Sequence, residues 1–472
     1  PRFQALLVIP TTPETTINGD YLPVILPVTR MDNGHYRVAS ARVRGSVAIG
    51  VDLYDPADQG GSKLGVYDIT TTADDEPIFQ MRHERVSYLH WGDGVVAYHP
   101  YYRKEGKFLM QWPWPDMETE LYANSTGTGE IQVTNTARRV RIEATDFFDH
   151  TQTLTLQLKP DTMAPPSTPS DTKLDSGTGT VFYNAVGDWL VVSVHFTVPE
   201  SVLPILLESG LPSTTASFTR VNAQTFRAQF RPDPNALYAG LSIDHPRAGH
   251  DATTHLPLEH SFVLPHAQGS AIQTTLGSIA LRIQPEQVYG RLYLAAGTSP
   301  AVSTDDLIAH GEAYTLWPEQ APFRKSIEVS IPLPEPLETG LEVYRKNGTS
   351  WQWVNSEANN GALTFNTKKL GTYQLMTDPS GPSIAFKRPT KSTSVNTTTP
   401  DLRMQIQDNG SGIAHWTVTF QGEWLLMEYD PEQHLLIWEQ DKALPSGTGE
   451  LVVTVNDEAS NTSTKQITLT VP

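Results

Sequence analysis

The sequence has 472 residues, of which 38% are hydrophobic and 18% are charged, and its formal net charge is -18 at pH 7. This acidic balance argues against nucleic acid as a partner, because nucleic-acid binding depends on Lys and Arg side chains that displace the counterions of phosphates. The absence of cysteine excludes disulfides, cysteine nucleophiles and thiolate metal sites.

The length predicts three or four domains, since a domain usually holds about 100 to 200 residues. No apolar run reaches the roughly 18 residues that a transmembrane helix needs, so no membrane span is predicted. No charged-then-apolar leader precedes Pro1, and we therefore expect a processed product or a fragment.

Residues 1–158 alternate between apolar and polar side chains and predict β-strands. Val140, Ile142 and Ala144, for example, alternate with polar neighbours, as a half-buried strand requires. Turn signals separate the strands at intervals of about 8 to 12 residues, which is typical of antiparallel sandwiches. We assign this region to an N-terminal β-sandwich, either as one body or as two subdomains.

Aromatic residues crowd the stretch from Trp91 to Trp114. Flat aromatic rings can stack on sugars, so Trp112, Trp114, Tyr101 and Tyr102 are candidates for binding a glycan or a partner protein. The Pro-rich sequence around them favours the other interpretation, that these rings cover the open end of a sheet as core or interface packing. A glycan site requires the rings of Trp112 and Trp114 to be exposed.

Shifts in composition predict the remaining boundaries. Residues 159–177 (KPDTMAPPSTPSDTKLDSG) contain four prolines and few core-forming side chains, which predicts a Pro/Ser-rich linker or a long surface loop. Two further β-sandwiches are predicted over 178–265 and 268–378, and an immunoglobulin-like domain over 382–472. The predicted fold class is therefore all-β, with tandem immunoglobulin-like or antiparallel β-sandwich domains. Thr304–Ala313 lacks a helical apolar stripe and predicts at most one or two helical turns in a loop.

An internal repeat links the first domain to the last. Arg141–Leu156 and Val453–Leu469 each contain a strand, an aspartate and a Thr-rich strand. Asp146 and Asp457 therefore predict Asx turns that close equivalent hairpins. Asp408 lies in another acidic, Gly-rich turn. If Asp408 and Asp457 meet at one end of the last sandwich, their oxygens can hold calcium; the sequence otherwise implies no cofactor.

Motifs of catalytic sites are absent from the sequence. It contains no H-E-x-x-H, H-x-H or H-x-x-x-D zinc element, no G-x-S-x-G elbow and no Gly-rich phosphate loop after a strand. The sequence does not exclude paired carboxylates for glycoside hydrolysis, because the fold sets their separation of about 5 to 10 Å. No catalytic residue is predicted, and the sequence does not decide whether the chain is an enzyme.

The succession of several short segments matches a known family along nearly the whole chain. These segments include Arg42–Asp52, Lys63–Tyr67, Asp75–Phe79, Leu341–Tyr344, Leu370–Tyr373, Ile406–Asp408 and Gly422–Trp424. They resemble the β-sandwich region that follows the catalytic domain in gram-negative lysostaphin-type zinc metallopeptidases. The resemblance implies a location in the cell envelope, either periplasmic or on the outer surface. The family hydrolyses peptidoglycan through a preceding zinc domain, whose ligand motifs this chain lacks, so no catalytic residue carries over.

These observations predict a non-catalytic, multi-domain protein of the bacterial cell envelope. We expect a scaffold or binding module for envelope proteins or cell-wall glycan, without nucleic acid as a partner and as part of a larger complex. One alternative is the tail of a zinc peptidoglycan endopeptidase whose catalytic domain is not in this chain. Another is a carbohydrate-binding or glycan-hydrolysing protein, and a hydrolase should show a cleft with converging carboxylates or histidines.

Overall fold

The structure is a computed structural model, and nearly all of its regular elements are β-strands in antiparallel pairs. This confirms the all-β fold class. The structure describes residues 1–57, 61–85, 92–113, 122, 125–162, 179–186, 189–196, 200, 202–208, 211–214, 216–230, 241–244, 258–263, 272–276, 278–290, 292–334 and 340–472.

The chain divides into two compact units. The first comprises Pro1–Gly297, Leu316–Val329 and Asn366–Leu370, and the second comprises Thr298–Thr315, Ser330–Phe365 and Gly371–Pro472.

The first unit begins with thirteen described strands, which hydrogen bonds connect into a single sheet system. Short helical segments, α1 (Gly94–Ala97) and a 3-10 turn at Pro100–Tyr102, lie between β8 and β9. The strands are β1 (Arg2–Pro10), β2 (Thr16–Ile17), β3 (Val24–Arg30), β4 (Tyr36–Val38), β5 (Ala41–Pro56), β6 (Lys63–Leu64), β7 (Asp68–Ala73), β8 (Glu76–Arg82), β9 (Phe108–Met110), β10 (Ser125–Thr126), β11 (Ile131–Val133), β12 (Arg138–Thr145) and β13 (Thr151–Pro160).

The long strand β5 joins the two sides of this sheet system. Its first residues pair in parallel with the end of β13, and its later residues pair antiparallel with β1. The alternation predicted for β12 is confirmed, because Val140, Ile142 and Ala144 are all buried in the core. Since β13 runs to Pro160, the first two residues of the predicted linker belong to a strand. The linker residues from 163 onward lie outside the described residues.

The predicted second sandwich contains two small sheets, β14–β15–β19–β18 and β17–β16–β20. Their core includes Leu190, Val192, Phe226 and Phe230. The strands are β14 (Gly179–Val186), β15 (Trp189–Phe196), β16 (Ile205–Glu208), β17 (Leu211–Pro212), β18 (Thr219–Arg220), β19 (Thr225–Phe230) and β20 (Leu241–Asp244).

Polar and apolar contacts connect this region to the N-terminal strands. Arg227 donates to both carboxylate oxygens of Asp20, at 2.6 and 2.9 Å. Beside this ion pair, Tyr21 and Leu22 pack on a small apolar cluster that includes Trp189. The two regions are thus joined by a bidentate ion pair with an apolar contact beside it.

The boundary near residue 265 differs from the prediction. β21 (Leu258–Val263) falls within the predicted second sandwich, but it pairs with β24 (Leu292–Pro300), which lies in the predicted third. Between them, β22 (Ile272–Leu276) and β23 (Ile279–Ile283) form a hairpin, followed by a 3-10 turn at Pro285–Gln287. The pairing therefore groups residues 258–263 with the later strands.

The strands that follow include one where a loop was predicted. β25 covers most of Thr304–Ala313, and Gly311 within it has a φ of 69°, which interrupts the regular alternation. Within the second unit β27 pairs with both β28 and β31. The strands are β25 (Ile308–Trp317), β26 (Ile327–Pro332), β27 (Glu342–Asn347), β28 (Ser350–Val354), β29 (Glu357–Asn359), β30 (Ala362–Thr367) and β31 (Gly371–Thr377).

The C-terminal region is a two-sheet sandwich, with sheets ordered β32–β34–β38–β37 and β33–β40–β39–β35–β36. Its core is formed by side chains such as Met404, Phe420, Leu436 and Val453. The strands are β32 (Ser383–Arg388), β33 (Thr393–Ser394), β34 (Arg403–Gln407), β35 (Ile413–Phe420), β36 (Glu423–Trp424), β37 (Met427–Asp430), β38 (Leu435–Trp438), β39 (Gly447–Asp457) and β40 (Thr462–Val471).

A buried histidine makes the first unit sensitive to acid. His99 is fully buried and lies edge-on to Tyr102, with ring centroids 5.0 Å apart, and burial lowers its pKa to about 3. Between the ordinary histidine pKa of about 6.5 and this value, the unfolded chain binds a proton that the folded chain excludes. Stability contributed by neutral His99 is therefore complete above about pH 6.5 and is lost as the pH falls.

We expect His99→Gln to reduce the acid sensitivity of the first unit. In the wild type, this residue should lower the free energy of unfolding by about 1.4 kcal/mol for each pH unit below 6.5. Urea unfolding between pH 7 and pH 5 measures the slope. Parallel losses of stability in wild type and variant would contradict this role of His99.

Candidate functional site

The two hairpins related by the internal repeat have the same turn. Asn461 donates its backbone N–H to Asp457 Oδ1 at 2.7 Å, and His150 donates its N–H to Asp146 Oδ1 at 3.0 Å. In each hairpin the N–H of the aspartate donates in return to the carbonyl four residues later. The residue before the closing position, Asp149 or Ser460, has a positive φ. The predicted equivalence of the hairpins is confirmed.

The surroundings of the two aspartates differ. Asp146 also lies 2.9 Å from the Nδ1 of His150. Asp457 instead lies beside Asp378 and Asp408, and carboxylate oxygens from these three residues all lie within 4.8 Å of one another. Among the residues that the structure describes, this acidic cluster is the one group of three or more side chains with the geometry to hold a metal ion. The structure thus brings together Asp408 and Asp457, as the calcium prediction requires.

Asp378 is the member of the acidic cluster that the sequence did not identify. It directly follows β31, and its Oδ1 and Oδ2 accept the N–H groups of Ser380 and Ser411, at 3.1 and 2.7 Å. Gly410 makes this approach possible, because a Cβ there would clash with Asp378 Oδ2. A side chain at position 410 would therefore displace the Asp378 carboxylate.

Backbone and amide donors hold the other members of the cluster. Asp408 Oδ2 accepts the N–H groups of Gly410 and Gly412, at 3.0 and 2.6 Å. The side-chain amide of Asn461 donates to Asp457 Oδ2 at 2.8 Å and to the backbone carbonyl of Asp378 at 2.9 Å. Asn461 therefore fixes the position of β31's end relative to the β39–β40 hairpin.

The three carboxylates of the cluster are close together and largely buried. Asp378 and Asp457 are only 7% and 2% exposed, and Asp408 is half-buried. Burial raises the pKa of Asp408 and of Asp457, and the nearby charge of Asp378 raises both pKa values further. Within the described part of the chain, no Lys, Arg or His forms an ion pair with any of the three. The cluster is therefore a concentrated site of negative charge.

The aromatic candidates lie mostly within the N-terminal core. Trp112 is only 7% exposed and packs in an apolar cluster with Phe108 and Met110, while Tyr101 and Tyr102 are half-buried against the same cluster. A ring buried in this way does not offer a flat face to a sugar, so the position of Trp112 favours the packing interpretation. Trp114 lies outside the described residues.

An exposed aromatic pair was not predicted. Phe147 and Phe148, at the tip of the β12–β13 hairpin, are 74% and 73% exposed. Their rings are nearly perpendicular, with centroids 5.8 Å apart, and Phe147 also lies edge-on to Tyr67. Asp146 Oδ1 accepts the N–H of Phe148 at 2.8 Å, which fixes the turn. The Phe–Phe dipeptide between acidic residues was the available sequence signal.

No protein-family model and no curated protein matches the chain. Solved structures that align with it include protocadherin gamma B2 extracellular cadherin domains 3-6, with 9% identity over 92% of this chain and 97% of that chain and a TM-score of 0.14. The human desmocollin-1 ectodomain aligns with 12% identity over 90% of this chain and 57% of that chain, with a TM-score of 0.18. Bacteroides ovatus SGBP-B, in complex with a mixed-linkage heptasaccharide, aligns with 8% identity over 90% and 63%, with a TM-score of 0.13.

At these TM-scores the aligned structures support no conclusion about function. The resemblance to lysostaphin-type metallopeptidases, which no matching family model accompanies, stays a prediction from the sequence. Within the described residues, no helix has the length and apolar character needed to cross a membrane.

We expect Asn461→Ala to destabilise the second unit. The change removes the amide donor of Asp457 and of the carbonyls of Asp378 and Ser380, and the loss of such partly buried hydrogen bonds costs about 1 to 3 kcal/mol. Urea unfolding measures the loss. Asn456→Ala is the matched control, because the Asn456 amide donates to the Thr462 hydroxyl at an exposed position of the same hairpin. Equal effects of the two changes would contradict the connecting role of Asn461.

Proposed function

We propose that this chain is a non-catalytic, multi-domain binding protein of the bacterial cell envelope, and that it contacts a protein partner through the Phe147–Phe148 turn. The observation that carries the proposal is the exposure of both phenylalanines on a turn held by Asp146. The envelope location rests on the sequence resemblance described above.

A fixed, exposed aromatic pair is well suited to protein recognition. Large aromatic side chains contribute much of the binding energy at interfaces when they enter an apolar pocket of the partner. The Asp146 hydrogen bonds to Phe148 and His150 hold the turn before any partner binds. Less conformational entropy is therefore lost on binding than with a free loop.

The geometry of the pair favours a protein over a glycan. The planes of Phe147 and Phe148 meet at 86°, so the two rings form a knob and not a continuous flat platform. A sugar stacks on the face of a ring, whereas a protein pocket can enclose both rings. The exposed Asp149 beside them and the net charge of -18 favour a partner with basic residues around that pocket.

The acidic cluster supports a non-catalytic assignment. A hydrolase of wall polymers needs carboxylates that an extended substrate can reach. Asp378 and Asp457 are buried, and backbone N–H groups occupy oxygens of all three aspartates. The convergence of these carboxylates is therefore better suited to a small ion than to a polymer.

The double change Phe147→Ser with Phe148→Ser should abolish partner binding without lowering the Tm, because both side chains are exposed in the folded chain. The full chain is immobilised and exposed to a detergent-solubilised envelope fraction, and captured proteins are compared between wild type and variant. Trp424→Ser, at another exposed aromatic on β36, is the matched control and should leave capture unchanged.

Binding to purified peptidoglycan sacculi is measured for the same variants, which distinguishes a protein partner from a glycan. The proposal is supported if the wild type captures a specific protein that the double variant does not capture. Added salt should weaken this capture by the wild type. Unchanged capture by the double variant would refute it. Loss of sacculus binding without loss of a captured protein would also overturn it, in favour of glycan recognition.

A further inference from the structure

A buried tyrosine, Tyr344, packs against Met376, which lies two residues before Asp378 of the acidic cluster. Tyr344, on β27, is 0% exposed and packs with Leu307 and Met376. Among the residues that the structure describes, its hydroxyl has no hydrogen-bond partner. Buried hydroxyls are nearly always hydrogen-bonded, because losing water without a replacement partner costs free energy. This orphaned group therefore requires an explanation.

The charges of all three aspartates of the cluster act on the hydroxyl of Tyr344. Burial raises the pKa of Tyr344, and the charges of Asp378, Glu342, Asp408 and Asp457 raise it further. Glu342 is two residues before Tyr344 on β27, so both side chains lie on the same face of that strand. The phenol thus lies in the electrostatic field of several carboxylates, without a hydrogen bond to any of them.

Two features therefore point to a bound cation. Within the described residues, the acidic cluster lacks a cationic partner and the buried Tyr344 hydroxyl lacks any partner. A cation neutralises the carboxylates, and a water molecule bound to that cation can donate a hydrogen bond to the hydroxyl oxygen.

We propose that Asp378, Asp408 and Asp457 coordinate a Ca²⁺ ion, and that the Tyr344 hydroxyl hydrogen-bonds to a water molecule in the ion's coordination shell. Ca²⁺ prefers oxygen ligands at about 2.3 to 2.6 Å, so two ligands on opposite sides of the ion lie about 4.6 to 5.2 Å apart. The carboxylate oxygens, all within 4.8 Å of one another, can therefore converge on one ion after small side-chain adjustments. An all-oxygen, acidic ligand set favours a hard cation over zinc or copper.

The position of the ion gives it a structural role that is independent of the Phe147–Phe148 turn. Asp378 follows β31, whereas Asp408 and Asp457 lie in turns of the C-terminal sandwich after β34 and β39. One ion bound to all three fixes the end of β31 to the C-terminal sandwich. Ca²⁺ thus controls the rigidity of this connection within the second unit.

Calcium binding is measured on the full chain after removal of metals with EDTA. Isothermal titration calorimetry with CaCl₂ should show a single site, and the Tm of the second unit should rise with added Ca²⁺, because a ligand that binds only the folded state stabilises it. MgCl₂ should bind more weakly, since Mg²⁺ requires a regular octahedral shell at about 2.0 to 2.1 Å.

Three variants test the assigned residues. Asp408→Asn should abolish the calorimetric signal and the rise in Tm, while its amide oxygen can still accept from Gly410 and Gly412. Tyr344→Phe removes only the hydroxyl, preserves the core packing, and should weaken Ca²⁺ binding about tenfold, as is usual for a group in the outer shell of a metal site. Asp146→Asn alters the same kind of turn outside the cluster and should leave Ca²⁺ binding unchanged.

The outcomes are decisive in either direction. Single-site Ca²⁺ binding that both Asp408→Asn and Tyr344→Phe weaken supports the site. Absence of binding and of a Tm response in the wild type would overturn it, and so would wild-type affinity in both variants. If Asp408→Asn does not fold, the affinity of Tyr344→Phe decides the question alone. None of these readouts depends on a protein partner, so the site can fail while the proposed binding function stands.

Discussion

Backbone N–H groups that donate to aspartate carboxylates determine the positions of the exposed aromatic turn and of the acidic cluster. A hairpin must satisfy the amide groups at its turn, and an aspartate at the strand end does so without help from another segment. Asp146 fixes in this way the turn that exposes Phe147 and Phe148. The same interaction at Asp408 and Asp457 holds carboxylates where they meet Asp378. Both proposed sites depend on this interaction.

The same turn has opposite electrostatic consequences in its two locations. Burial raises the pKa of Asp146, but the hydrogen bonds from His150 and Phe148 outweigh that effect, and its pKa is below the ordinary value. Asp457 has comparable hydrogen bonds from Asn461, yet burial and the charge of Asp378 leave its pKa raised. The difference is that a histidine lies beside Asp146, while another carboxylate lies beside Asp457. Local hydrogen bonding alone does not determine the charge state of such a turn.

The sequence predicted those features that depend on neighbouring residues in the chain. The alternation of Val140, Ile142 and Ala144 identified β12, since a half-buried strand needs no information from elsewhere. The repeat identified the two Asx turns for the same reason. The strand β25 was missed because Gly311 breaks the alternation from which a strand is recognised. A strand can be recognised from its sequence when apolar and polar residues alternate regularly along its whole length.

Features that depend on distant residues were not predictable. Asp378 joins Asp408 and Asp457 only because β31 ends next to the last sandwich, and sequence spacing carries no record of that. Likewise, β21 pairs with β24, and the composition of the segment between them did not indicate this pairing. Trp112 is part of the core because Phe108 and Met110 surround it, whereas its sequence neighbourhood favoured packing without excluding exposure.

The strand β5 has a further effect on how the first unit comes apart. It forms hydrogen bonds with β1 along one part of its length and with β13 along another, so one continuous backbone belongs to both sides of the sheet system. Displacing β5 as a whole breaks hydrogen bonds on both sides at once. A pulling force applied along β5 therefore meets resistance from both sides together.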